Sequence, residues 1–232
     1  MSVECQRKKP KNPENQNLLP MEAFPSVGKG LKRKRLFDIA FTLLVFLFGG
    51  PFFLLLALFV KASSKGPLFY GSIRVGLHGK KITCWKIRTM YPGAEALLND
   101  LLAKNHALRK EWEHNYKLKN DPRITPIGRF LRKTSLDELP QFWNVLKGDL
   151  SLVGPRPVSL EEAKIFLDKK GPRFFSIRPG LTGLWQTSGR NNMSYEKRID
   201  LEQMYIDSRS FTLDLLLIIK TFFLMFCPKG AF

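Results

Sequence analysis

Ile39–Val60 carries no charged residue over 22 positions, and Gly49-Gly50-Pro51 interrupts it near the middle. About 20 apolar residues span a bilayer as a helix, so a transmembrane helix is the first reading. Two features oppose it. Glycine and proline at the midpoint can kink or break a helix. Positive charge also flanks both ends, with Lys32-Arg33-Lys34-Arg35 before and Lys61 and Lys65 after, so loop charge assigns no inside and outside. Two limbs of roughly 11 residues rise about 16 Å each, enough to enter one leaflet and return. We favour a re-entrant helix–break–helix hairpin over 31–65 with both ends on one side; a kinked span is the alternative. Backbone groups freed at the break then need protein or headgroup partners.

The formal charge of +18 narrows the partners to nucleic acid, an anionic membrane surface or phosphorylated substrates. Basic residues directly beside an apolar run favour lipid headgroups, each adding about 1 kcal/mol near an anionic surface. A nucleic-acid partner is not expected, because no reading motif is present and the apolar run would have no purpose. Residues 1–30 are rich in Lys, Asn and Pro without hydrophobic periodicity and read as a disordered basic tail. They lack the apolar region of a secretory signal. Cys5, Cys84 and Cys227 are scattered, and His78, His106 and His114 are isolated. That spacing supports neither a disulfide framework nor a zinc site, and it fits a reducing, cytoplasmic environment.

From Pro67 to Met90, short apolar runs alternate with Gly71, Gly76 and Gly79, the pattern of short strands. The spacing predicts a helix over 94–119, with Leu97, Leu98, Leu101, Leu102 and Leu108 as a core stripe. Ser159–Lys169 reads as a second short helix with Glu161 and Glu162 near its positive end. Helical character resumes over Ser194–Tyr205, capped by Ser194. Phe211–Phe226 is apolar but carries Asp214 and Lys220, which make a span costly; a helix at the interface, or packed on the first hairpin, is expected. The fold class is therefore α+β and mainly helical: a monotopic membrane protein with a re-entrant hairpin, amphipathic interface helices and a small strand element. Residues 66–232 are expected to form a separate domain at the membrane's cytoplasmic face, ending in an interfacial helix.

Chemistry concentrates between Arg132 and Pro157. Adjacent carboxylates, Asp137-Glu138, lie among Arg132, Lys133, Lys147 and Arg156. A carboxylate in such surroundings can attack phosphorus, and its neighbour can hold the divalent metal that phosphoryl transfer usually needs. The same residues admit a structural role, because Ser135-Leu136-Asp137-Glu138 has the spacing of a helix capping box. Pro140 opposes a simple box by removing a backbone donor early in such a helix. These residues alone leave both roles open.

The ordered motifs go further. They are Lys34-Arg35-Leu36-Phe37-Asp38 before the Pro-broken apolar run, Arg74-Val75-Gly76 with Gly79, and Lys86-Ile87-Arg88-Thr89-Met90. Then come Leu131-Arg132-Lys133-Thr134-Ser135-Leu136-Asp137-Glu138-Leu139-Pro140-Gln141 and Gly148-Asp149-Leu150-Ser151-Leu152-Val153-Gly154-Pro155-Arg156-Pro157. Arg178-Pro179-Gly180-Leu181-Thr182-Gly183-Leu184-Trp185-Gln186 with Ser188-Gly189-Arg190 completes the set. In this order they resemble the bacterial sugar transferase family, the monotopic polyprenol-phosphate phosphoglycosyltransferases, from Leu31 to the C-terminus.

That resemblance implies an enzyme at the cytoplasmic face of the bacterial inner membrane. It would transfer a sugar-1-phosphate from a UDP-sugar to undecaprenyl phosphate, releasing UMP and starting glycan or polysaccharide assembly. It implies Asp137 as nucleophile of a ping-pong reaction, Glu138 as ligand of a Mg²⁺ cofactor, and Lys86, Arg88, Arg156, Arg178 and Arg190 as binders of phosphate or uridine. Of these, Arg156 has the strongest independent claim, since its flanking prolines restrict the backbone and a guanidinium suits bidentate phosphate contact. Three positions depart from the family pattern: Gly50-Pro51 stands where many members have Ser-Pro, Glu202 where an Asp is usual, and Arg209 where an aromatic is usual. A non-catalytic basic membrane-surface module is the alternative function. The sugar, the glycan, the role of Glu202 and any homo-oligomer are left open.

Overall fold

The computed structural model describes residue 24 and residues 31–115, 118–189 and 193–226. The expected disordered tail therefore lies outside the described residues, apart from Phe24. The apolar run lies within α1, Leu31–Ser63, a single helix with Pro51 inside it. The expected break between two helices is not present. Proline forfeits one backbone donor and crowds the preceding turn, which a helix can absorb by bending rather than ending.

α1 is held at its two ends and free between them. Near its start, Phe37 and Phe41 pack against the main core. Near its end, Leu56 and Val60 are buried with Ile87 and Leu131. Residues 43–52 include no buried side chain, and Leu47 and Phe48 are 70% and 77% exposed. Both limbs of α1 thus rest on one domain while its apolar middle stands clear.

The chain then forms an antiparallel hairpin, β1 (Phe69–Val75) and β2 (Lys81–Ile87), with Tyr70 opposite Lys86. The expected helix over 94–119 is divided into α2, Ala94–Lys104, and α3, His106–Asn115. Asn105 causes the division, because its side-chain oxygen accepts from the backbone N–H groups of Ala107 and Leu108 and starts a new helix. The leucine stripe is consequently not a core stripe: Leu98 alone among those leucines is buried, and Leu97 is exposed.

α4, Pro126–Thr134, opens on proline with Thr125 as its cap, accepting from the Gly128 N–H at 2.9 Å. After α5 (Gln141–Lys147), β3 (Ser151–Val153) pairs in parallel with β4 (Gly180–Thr182). Between those strands runs α6, Leu160–Lys170, which has a complete capping box between Ser159 and Glu162. The short α7, Leu184–Thr187, leads to α8, Tyr195–Ser208, capped by Ser194 as expected. α9, Phe211–Phe226, buries Leu217 and Asp214 while leaving Leu216, Ile219, Phe222 and Phe223 exposed.

The main core joins the strands to α6, α8 and α9 through Val153, Phe166, Phe174, Ile199, Tyr205 and Leu217. The smaller cluster of Leu56, Val60, Ile87 and Leu131 lies apart, with Leu136 and Leu139 packed against it. Leu131 is fully buried there, and truncating such a leucine costs about 2–5 kcal/mol. Leu131→Ala should therefore lower the unfolding midpoint in detergent markedly. The same truncation at its exposed neighbour Phe130 should change stability by less than about 0.5 kcal/mol.

Candidate active site

α4 ends at Ser135, which adopts a left-handed conformation at φ 58°. A non-glycine residue there costs about 1–2 kcal/mol, and the reversal sends the chain into a tight 3₁₀ turn, Leu136–Glu138. Leu136 and Leu139 face the small cluster beneath the turn, while Asp137 and Glu138 face the basic groups. The capping-box reading of this tetrapeptide is therefore overturned. Ser135 makes no side-chain cap to the turn, and α5 starts only at Gln141, after Pro140.

Four of the expected site residues come together. Lys86 Nζ donates to Glu138 Oε1 at 2.7 Å and lies 3.9 Å from Asp137 Oδ2. Arg156 Nη2 reaches the same Glu138 oxygen at 3.2 Å. Lys86 comes from the end of β2, the carboxylates from the turn before α5, and Arg156 from the segment between β3 and α6.

The two adjacent acids respond oppositely to this environment. Burial pushes the Asp137 carboxyl up to about 6, against the pull of Lys86, while its neighbour Glu138 adds to the rise. Burial pushes Glu138 up as well, but Arg156 and Lys86 together outweigh it and hold its carboxyl well below the usual range. Glu138 is the permanently ionised anchor of the cluster; Asp137 is the less engaged and more basic carboxylate.

Arg88 and Arg178 are placed elsewhere. Arg88 donates to the carbonyls of Ser64 and Lys65 at 2.7 and 2.8 Å, meeting acceptors just beyond the end of α1. Arg178 donates through Nε to the Gly148 carbonyl at 2.8 Å, at the far end of α5 from the carboxylates. Arg190 lies outside the described residues.

Other residues complete the cluster. Asn144 is fully buried; its Oδ1 accepts from the Trp85 N–H at 3.1 Å, and its Nδ2 donates to the Thr83 carbonyl at 2.7 Å. It fastens α5 to β2 at Thr83 and Trp85, just before Lys86, and thereby fixes the approach of that lysine to Glu138. Glu202 is fully buried on α8 and accepts from the Arg156 N–H at 3.0 Å, and burial raises its carboxyl to about 7. Trp185 lies under two guanidinium groups, Arg198 at 4.5 Å and Arg156 at 5.8 Å from the ring centre. Arg132 donates to Thr89 Oγ1 at 2.8 Å and lowers the Asp137 carboxyl by its charge. A polar residue at a buried helical position was the available signal for Asn144; nothing in sequence spacing linked Glu202 to Arg156.

Among the described residues, no group of three or more His, Cys, Asp or Glu side chains forms a ready metal cage. Mg²⁺ characteristically takes one or two carboxylates and completes its shell with water and substrate phosphate. Asp137 and Glu138 fit that pattern, with both cationic contacts of Glu138 confined to one oxygen, Oε1.

Adjacent carboxylates thus lie within reach of a lysine and an arginine, on a domain that packs against both ends of an apolar helix. The sequence profile of the bacterial sugar transferases matches residues 30–228, and the chain belongs to that family. It is 44% identical over 200 residues to the undecaprenyl-phosphate galactose phosphotransferase of Salmonella typhimurium, a match covering 86% of this chain and 41% of that protein. Identity to the exopolysaccharide production protein ExoY of Rhizobium meliloti is 40%, over 86% of this chain and 88% of ExoY. The UDP-glucose:undecaprenyl-phosphate glucose-1-phosphate transferase of Klebsiella pneumoniae is 37% identical over 93% of this chain and 44% of its own length. The chain thus spans less than half of the Salmonella and Klebsiella relatives.

If Asn144 sets the position of Lys86, replacing it with leucine strips partners from two part-buried backbone groups. Each such loss costs about 1–3 kcal/mol. Asn144→Leu should show a lower unfolding midpoint in detergent and a fall in activity that persists when rates are corrected for folded protein.

Proposed function

We propose that the chain transfers a sugar-1-phosphate from a UDP-sugar to undecaprenyl phosphate, releasing UMP, as the first membrane step of glycan assembly. The observation that carries this is the convergence of Lys86 and Arg156 on Glu138, beside a buried Asp137 raised to about 6. The reactions named for the Salmonella and Klebsiella relatives support it.

The chemistry follows from the division between the two acids. An Asp137 oxygen attacks the phosphorus bonded to the sugar. A P–O bond forms, the bond to the UMP oxygen breaks, and UMP leaves with the electron pair. An oxygen of undecaprenyl phosphate then attacks the same phosphorus, the bond to Asp137 breaks, and the carboxylate is restored. Lys86 and Arg156 offset charge on the non-bridging oxygens, and Glu138 holds both cations in place without competing as a base. Mg²⁺, held by Glu138 with phosphate oxygens of the donor, would supply further charge neutralisation on the leaving phosphate.

The exposed middle of α1 supports a membrane role. Contiguous apolar surface on this scale is unfavourable in water, and both ends of the helix rest on the same domain. A re-entrant element, with the domain at the cytoplasmic face, fits this arrangement and brings the site to headgroup depth.

Detergent-purified protein given a panel of UDP-sugars, Mg²⁺ and undecaprenyl phosphate should release UMP with at least one donor. No release from folded protein across the panel would sink the enzyme reading and favour the non-catalytic membrane module. Asp137→Asn should abolish both turnover and the covalent phosphosugar adduct. For the native chain, kcat/KM for the donor should fall as pH drops through about 6, because protonation removes the nucleophilic form of Asp137. Cysteines introduced in place of Lys32 and Lys65 should react with an impermeant reagent from the same side of the membrane; labelling from opposite sides would establish a span.

A further inference from the structure

A second cationic site lies at the opposite end of α5 from Asp137-Glu138. Lys34, Arg35, Arg178 and Arg209 line one pocket with Asp38 and Tyr205. The carboxylates nearby are already engaged. Asp38 accepts from Ser151 Oγ at 2.7 Å and the Leu152 N–H at 3.3 Å. Asp214 accepts from Lys34 Nζ and Tyr205 OH, both at 2.7 Å.

Among the described residues, Lys34 is the pocket's only basic group with a carboxylate within 4.0 Å. Arg35 instead donates to the Val145 and Leu146 carbonyls, and Arg178 donates to Gly148. Arg209, in the joint between α8 and α9, has no carboxylate that close. Each guanidinium carries five N–H donors, so these contacts leave donor capacity on all three arginines. The pocket therefore presents excess positive charge and unspent N–H groups in a concave setting, which suits phosphate oxygens.

Its surroundings specify how that phosphate arrives. The pocket sits where the apolar part of α1 begins and where α9 starts. Leu36 is 68% exposed and Phe211 54% exposed, and Leu43, Leu44, Leu215 and Leu216 extend the apolar surface along both helices. An anion here has hydrocarbon-compatible surface on both sides. We propose that the pocket binds the phosphate of a membrane lipid, separately from the site of group transfer.

The separation is geometric. α5 contributes seven residues, rising about 10 Å, between the carboxylate turn and Gly148. Lys86 is engaged with Glu138 at one end of that helix and Arg178 with Gly148 at the other. Arg178 is thereby reassigned from the donor site to this one. The inference rests on the membrane reading of the chain but not on the sugar transferred.

Native mass spectrometry of the full chain in detergent provides the test, with phosphatidylglycerol and undecaprenyl phosphate as probes. Arg209→Gln removes one charge-assisted partner and should weaken retention of the lipid by about tenfold. Lys110→Gln makes the same charge change on an exposed residue of α3, away from the basic run beside the apolar segment, and should retain it. Loss for phosphatidylglycerol alone identifies a structural phospholipid; loss for undecaprenyl phosphate alone identifies a docking place for the acceptor. Equal losses in the two variants, or no loss in either, overturn the site. Displacement of both lipids by millimolar inorganic phosphate alone would overturn a lipid-borne ligand. Should Arg209→Gln not purify folded, Arg209→Lys keeps the charge, loses the fork and should show a smaller loss. UMP release by the unmodified protein tests the proposed reaction, so the two readings can fail independently.

Discussion

The segment that carries the carboxylate turn is held at both ends by the same apolar helix. Near the start of α1, the Arg35 guanidinium donates to two carbonyls in the last turn of α5. A helix terminus leaves such acceptors unpaired, and a cation there also complements the helix dipole. Near the end of α1, Leu56 and Val60 bury themselves with Leu131, and Leu136 and Leu139 close over them. Asp137 and Glu138 lie between those two leucines. The position of the two carboxylates is therefore set by how α1 seats, and anything that moves one limb of α1 relative to the other bears on the carboxylate turn.

In the proposed reaction, that mechanical link would let one small cluster serve a water-borne donor and a lipid-borne acceptor. Lys86, Glu138 and Arg156 come from three separate elements, and each is fixed by a backbone contact rather than by the ion pairs alone. Asn144 ties β2 to α5 through Thr83 and Trp85. Glu202 takes the Arg156 N–H, and the prolines on either side limit that segment further. Partly buried ion pairs pay for desolvation and contribute little net stability unless their geometry is preset. Here the geometry is set by neutral hydrogen bonds and packing, so the charges remain available to meet a substrate.

Much of this architecture was legible in the chain. The short strands β1 and β2, the helices α6 and α8 and the Ser194 cap follow from pattern; the family resemblance singled out Lys86, Arg156 and the acidic pair, but not their convergence. What escaped depended on tertiary alternatives of similar local cost. Ser135 has the spacing of a cap, but the chain places it in a left-handed reversal, because Leu136 and Leu139 gain more by reaching Leu131 and α1. Asn105 splits a helix that the leucine spacing would continue, since its side chain competes for backbone donors. Arg88 and Arg178 share the composition of phosphate binders but are drawn to carbonyls near helix ends, which no one-dimensional spacing reveals. Pro51 looked like a terminator and is instead accommodated within α1.

The charges within the apolar helices follow the same logic. Lys34 of α1 and Asp214 of α9 pair at 2.7 Å, and Tyr205 of α8 donates to Asp214 and to the Val153 carbonyl of β3. Asp38 of α1 meets Ser151 and Leu152 of the same strand. Apolar faces alone would let α1 and α9 slide against the core, because hydrophobic contact is non-directional. A buried acid on each helix, matched to a hydroxyl, an N–H or a lysine at one register only, removes that freedom: a slip of either helix would strand a buried charge without its partner. The residues that make Phe211–Phe226 costly as a span are thus the ones that fix it on the domain, and they leave Leu216, Ile219, Phe222 and Phe223 facing outward on the face opposite the core.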